Sequence, residues 1–153
     1  MSEILTEMLF KIEEHVSSKN KVNNKISKAS VGWQLDHASK VFNAVSEQTI
    51  NSNPEMYKPS FSVMRLVLFK LGFFPRGKAR APKIVRPPEI ILETDIFSQL
   101  QHARTNILKL EKVPAKSYFK HHMFGMLNKK QTLRFLEIHT NHHLKIIIDI
   151  INA

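Results

Sequence analysis

The run FLEIHTNHHLKIII, residues 135–148, sets His139, His142 and His143 among apolar residues near the C-terminus. An imidazole that leaves water needs a partner, which can be a hydrogen bond, a carboxylate or a metal ion. Successive helical residues turn by about 100°. On that wheel His143, Ile146, Ile150, Thr132 and Phe135 fall close to His139, at the centre of the apolar arc. His142 lies to one side, toward Arg134, Lys145 and Asp149. His139 and His143 therefore face the core, and His142 faces the rim. Two histidines at i and i+4 can put both rings on one ion, the spacing used in helical zinc sites.

A third histidine stands in SVGWQLDHASKVFNAV, residues 30–45. Trp33, Val41 and Ala44 share the His37 side of that helix, and Gln34, Leu35, Ala38, Phe42 and Val45 extend its apolar arc. Asp36, Lys40, Asn43 and Glu47 gather opposite as a solvated stripe. Three inward histidines from two helices suit a facial three-nitrogen metal site with one or more positions open to water or substrate. The alternative is three unrelated buried histidines, each with its own hydrogen bond. A shared ion satisfies three ring nitrogens at once. Asp36 faces away and is neither ligand nor base. Trp33 is assigned to core packing at the edge of the pocket, and His15 and His102 to surface or structural roles.

These side chains need long helices to hold them. Ile4, Leu5, Met8, Leu9, Ile12 and Val16 make a helical stripe over 3–17. The polar, Asn-rich segment 17–30 reads as a linker, and Ser30 is placed to cap a second helix to about residue 51. Pro54 and Pro59 break the chain, and SFSVMRLVLFKLG reads as a short buried helix ended by Gly72. The proline-rich basic stretch FFPRGKARAPKIVRPPE reads as irregular. A third long helix is expected over about 93–112, with Ile96, Leu100, Ala103, Ile107 and Leu110 on one stripe and Pro114 beyond it. Asn128 caps a last helix over about 129–152. No alternating strand pattern appears. The expectation is one all-α domain over 1–153, a four-helix bundle with a short extra helix in the helix 2–3 crossover.

Composition narrows the chemistry. There is no cysteine, which removes disulfides, thiolate metal sites and cysteine nucleophiles. The apolar share of 42% and charged share of 24% suit an ordinary globular core. The N-terminus lacks a signal-peptide pattern and no run reaches the roughly 18 apolar residues that span a bilayer, so a cytoplasmic location without a membrane is expected. The net charge is 23 − 13 = +10. That balance attracts anions, yet no RNA-recognition strand or basic zipper is present, so nucleic acid ranks below a small molecule as partner.

The segment HHMFGMLNKKQTLRFLEIHTNHHLKII, residues 121–147, resembles the C-terminal signature of a domain of unknown function in the DinB/YfiT-like metalloenzyme superfamily, with matches at His121, Phe124, Gly125, Leu127, His139, His142, His143 and Leu144. GWQLDHASKVF is similar to that family's helix-two signature, which ends in a metal-binding histidine. The resemblance implies a bundle holding a divalent metal, nickel or zinc, on His37, His139 and His143. His122 and Ile146 depart from the family's Pro and Gln. His122 offers a further nitrogen near the pocket mouth, and Ile146 removes a polar group; neither change removes a ligand. His121, His122 and His142, with Trp33, are the pocket candidates.

Three function classes follow. The first is a metal-dependent transferase, isomerase or hydrolase, which the resemblance links to a low-molecular-weight thiol. No general base stands out, and the basic loop residues Arg76, Lys78, Arg80, Lys83 and Arg86 suit an anionic substrate. The second is a binder of nucleic acid or another anionic partner. The third is a non-catalytic bundle stabilised by metal. Phe73 and Phe74 are the apolar residues offered to a homodimer.

Overall fold

The computed structural model describes residues 1–77 and 83–153. Five helices form in it: α1 (Ser2–Glu14), α2 (Val31–Ile50), α3 (Val63–Leu71), α4 (Glu93–Lys112) and α5 (Lys129–Asn152). Their ends follow local chemistry. The Ser30 hydroxyl accepts from the Trp33 N–H and starts α2. Asn128 and Gln131 exchange side-chain and backbone bonds in a capping box that starts α5. Gly72, at φ 74°, closes α3 in the left-handed conformation.

The four long helices make a helical bundle in which α1 and α2 each pack on both α4 and α5. Leu9 and Ile12 of α1, Leu35 and Phe42 of α2, Leu100 of α4 and Ile147 of α5 are among its buried core residues. The expected stripe of α4 is buried throughout. No helix of the described residues is long and apolar enough to cross a membrane.

Three expectations need correction. The bundle is not purely α: β1 (Tyr118–His121) pairs antiparallel with β2 (Gly125–Asn128). Neither strand alternates between buried and exposed residues, so no two-residue period marks them in the sequence. Their turn depends on Gly125 at φ 74°, where an added Cβ would lie 2.3 Å from the Ser60 hydroxyl. The second correction concerns α3, which is not buried; only Arg65 of its nine residues is. That guanidinium donates to the carbonyls of Phe124 (2.8 Å) and Ser60 (2.6 Å) and so pins α3 to the hairpin.

The third correction concerns the stripe opposite His37. Asp36 and Asn43 are buried, not solvated. Asp36 pairs with Lys40 at 2.6 Å. Asn43 donates to the Gln99 carbonyl (2.9 Å) and side chain (2.8 Å), and accepts from Asn106 at 3.0 Å. Helical phase gives an angle, and it does not reveal that α4 covers that angle.

Candidate metal centre

His37 leaves α2 about a third of the way along the helix, and His139 and His143 leave α5 one turn apart. Because α2 and α5 pack together, the three rings meet. Ring centres are 4.7 Å apart for His139 and His143, 4.8 Å for His37 and His143, and 5.5 Å for His37 and His139. One ring nitrogen from each lies within 4.8 Å of the others. His37 and His143 are buried, and His139 is half-buried.

Two rings are oriented from behind. The His37 Nδ1 lies 2.8 Å from the Val85 carbonyl. A carbonyl only accepts, so Nδ1 carries the proton and Nε2 keeps its lone pair. The His143 Nδ1 donates to the Gln34 Oε1 at 2.6 Å, which frees its Nε2 in the same way. Gln34 is in turn near the Ser27 hydroxyl, at 3.4 Å. Carbonyl partners of this kind fix tautomer and ring angle in histidine metal sites. No hydrogen bond reaches the His139 ring among the described residues; it stacks on Phe135 at 5.6 Å instead.

Burial holds all three histidines neutral. His139 and His143 titrate well below the ordinary imidazole range, mainly through desolvation and then through neighbouring histidines, His37 first for His139 and His139 first for His143. His37 is lowered by burial, with the Val85 bond and the Asp36 charge partly offsetting it. A neutral imidazole is the form that ligates metal. Zn–N bonds of about 2.0–2.1 Å set tetrahedral nitrogens roughly 3.4 Å apart, so the cluster must tighten by about 1 Å or slightly more around an ion. The donor set fits a borderline divalent ion and leaves coordination positions open.

The remaining expected residues divide. Trp33 is half-buried, stacked on His37 at 4.8 Å and 22°, and forms a wall of the site more than part of the core. His142 borders His143, with ring centres 5.0 Å apart. Its pKa is lowered by burial, against a hydrogen bond to the Phe74 backbone. His142 also lines a cavity of about 310 Å³ with Phe73, Phe74, Ile138 and Lys145. His121 orders the hairpin: its Nδ1 accepts from the N–H groups of Met123 (3.0 Å) and Phe124 (3.1 Å). Burial, with His122 adding, pushes its pKa down to about 4. His122 is exposed and stacks on His121. His102 pairs at the surface with Glu47.

Of the basic loop, Arg76 pairs with Asp149 at 2.7 Å and Lys83 is exposed, while Lys78 and Arg80 lie outside the described residues. Phe73 is exposed, but Phe74 packs against Phe124 and Phe135. Sequence reasoning missed Gln34 and Val85. Gln34 had one available signal, an amide within an apolar arc; Val85 acts through its backbone and leaves none.

No protein-family model, curated protein or solved structure matches the chain.

Proposed function

We propose that this chain is a metal-dependent enzyme of the DinB/YfiT-like kind, with His37, His139 and His143 as the ligands of a zinc or nickel ion. The observation that carries this reading is the convergence of three neutral ring nitrogens within 4.8 Å, two of the rings held from behind by carbonyl oxygens. The motif resemblances over residues 32–42 and 121–147 support the same ligand set.

A divalent ion held there supplies Lewis acidity, lowering the pKa of a bound water or thiol. The chain's own groups do the rest. Gln34 and Val85 hold the ligand tautomers. Trp33 covers one side of the His37 ring, and Phe135 covers His139. The cavity beside His142 offers apolar walls with Lys145 among its lining residues, which suits a small substrate with an anionic group. The reaction favoured is transfer or isomerisation with a low-molecular-weight thiol, since Asp36 is buried in an ion pair with Lys40 and supplies no base.

Elemental analysis of the protein after loading with zinc or nickel is expected to give one ion per chain, lost in His37→Ala and His143→Ala. Metal-dependent consumption of an electrophile by a small thiol is the activity to seek. Failure of the intact, folded chain to retain either ion would remove the reading. One observation favours a second reading: the ligands tie α2 to α5 through buried rings, as a structural ion would. In that case the metal raises the melting temperature and no thiol is consumed.

A further inference from the structure

The face of α3, with Phe61 just before it, is unusual for a surface. Phe61 (78% exposed), Val63, Met64, Leu66, Val67 and Leu71 all stand in solvent. Together they present on the order of 600 Å², at the top of the roughly 300–600 Å² of a monomer's largest patch and most of the about 800 Å² per partner of a standard interface. At about 100° per residue, Lys70 falls inside this apolar arc, between Leu66 and Val63. Lys70 forms no ion pair among the described residues, and no Asp or Glu occurs between Glu55 and Glu89.

A symmetric α3-to-α3 contact would bury Lys70 against a surface that has no carboxylate. Charged groups are depleted from interface cores because an unpaired buried ion is costly. The matching surface must therefore be apolar and acidic, and this chain carries one. A shallow, open groove of about 370 Å³ runs between α1 and α4, lined by Phe10, Ile107 and Leu108 with Glu3, Glu7 and Glu111 around them, while Arg104 over the Phe10 ring is paired with Glu13. Phe10 and Leu108 are more than half exposed. Glu7 pairs only with its own neighbour Lys11 at 2.8 Å, and Glu3 and Glu111 form no ion pair among the described residues. The two surfaces are on different elements, since α3 packs on α5.

We propose that the chain self-associates head to tail, with the α3 ridge of one copy seated in the α1–α4 groove of a second copy and Lys70 facing the groove's carboxylates. Such a contact is heterologous: it closes into a ring or extends into a chain. It does not depend on the metal reading.

Sedimentation velocity over a concentration series tests it. The native chain is expected to associate, and Lys70→Glu alone, or Glu7→Lys with Glu111→Lys, to weaken association at least tenfold while circular dichroism shows an unchanged fold. All three sites are exposed, so folding is not at stake. Mixing the two variants restores the complementary charge at every contact and is expected to restore assembly. A native chain that stays monomeric at every concentration overturns the proposal. So does association that ignores the groove substitutions, which would put α3 against itself. Pelleting of a monomeric chain with anionic-lipid vesicles would assign the ridge to a membrane surface and also overturn it.

Discussion

The Nδ1 of His143 on α5 donates to the side-chain oxygen of Gln34 on α2, 2.6 Å away, across the packed interface of two helices distant in sequence. This bond turns the free Nε2 of His143 toward His37 and His139. It also satisfies two buried polar groups that would otherwise oppose the packing of α2 on α5.

Gln34→Ala is therefore expected to lower metal affinity by roughly 10- to 100-fold while leaving the stoichiometry at one ion, as loss of an orienting partner does in other histidine sites. A competition titration against a chromophoric chelator reads the change. Unaltered affinity in a folded variant would show that Gln34 has no orienting role.

Metal removal should soften the whole bundle, because the three histidines come from two packed helices, of which α2 also packs on α4 and α5 on α1. At free metal 100 times the dissociation constant, binding adds about 2.7 kcal/mol. For a chain of this size that corresponds to a rise in Tm of roughly 5–10 °C. Calorimetry with and without a chelator measures it, and identical melting curves would count against an ion bridging α2 and α5.

The metal-free protein should lose stability in mild acid. His37, His139 and His143 all have folded pKa values below their unfolded value near 6.5. The unfolded chain therefore binds more protons once pH falls below about 6.5, and stability drops from there toward the lower folded values. Above about 7 the contribution is fully present. Urea midpoints at pH 7.5, 6.5 and 5.5 should fall in that order, more steeply below 6.5. His143→Phe should flatten the trend, and a native midpoint that rises on acidification is the contrary result.

Asn43→Ala leaves the Asn106 amide buried without its acceptor at the α2–α4 contact. A loss of about 1–3 kcal/mol is expected in denaturant unfolding. Asn43 is remote from the ring cluster in helical phase, so metal stoichiometry should not change. A loss within 0.5 kcal/mol, the range usual for surface substitutions, would mean the amide pair is solvated in solution.

Gly125→Ala should also destabilise, since φ of 74° disfavours a side chain and the new Cβ would meet the Ser60 hydroxyl. A cost of about 1–3 kcal/mol is expected. The hairpin that His121 and Arg65 secure is the affected region, and hydrogen exchange at Met123 and Phe124 should accelerate.

The sequence by itself determined the long helices and the inward direction of three histidines. Ser30 and Asn128 mark the starts of α2 and α5 because their side chains bond to backbone groups three residues on, and the stripe from Ile96 to Leu110 marks α4 because its apolar period is local. The phases of His37, His139 and His143 follow from the same periodicity. Only the tertiary structure decided what lies opposite each face. It buried Asp36, gave Asn43 polar partners from α4, left α3 in solvent, and brought the Val85 carbonyl to His37 across 48 positions of sequence. These relations depend on which surfaces meet, and a helical wheel records direction without distance.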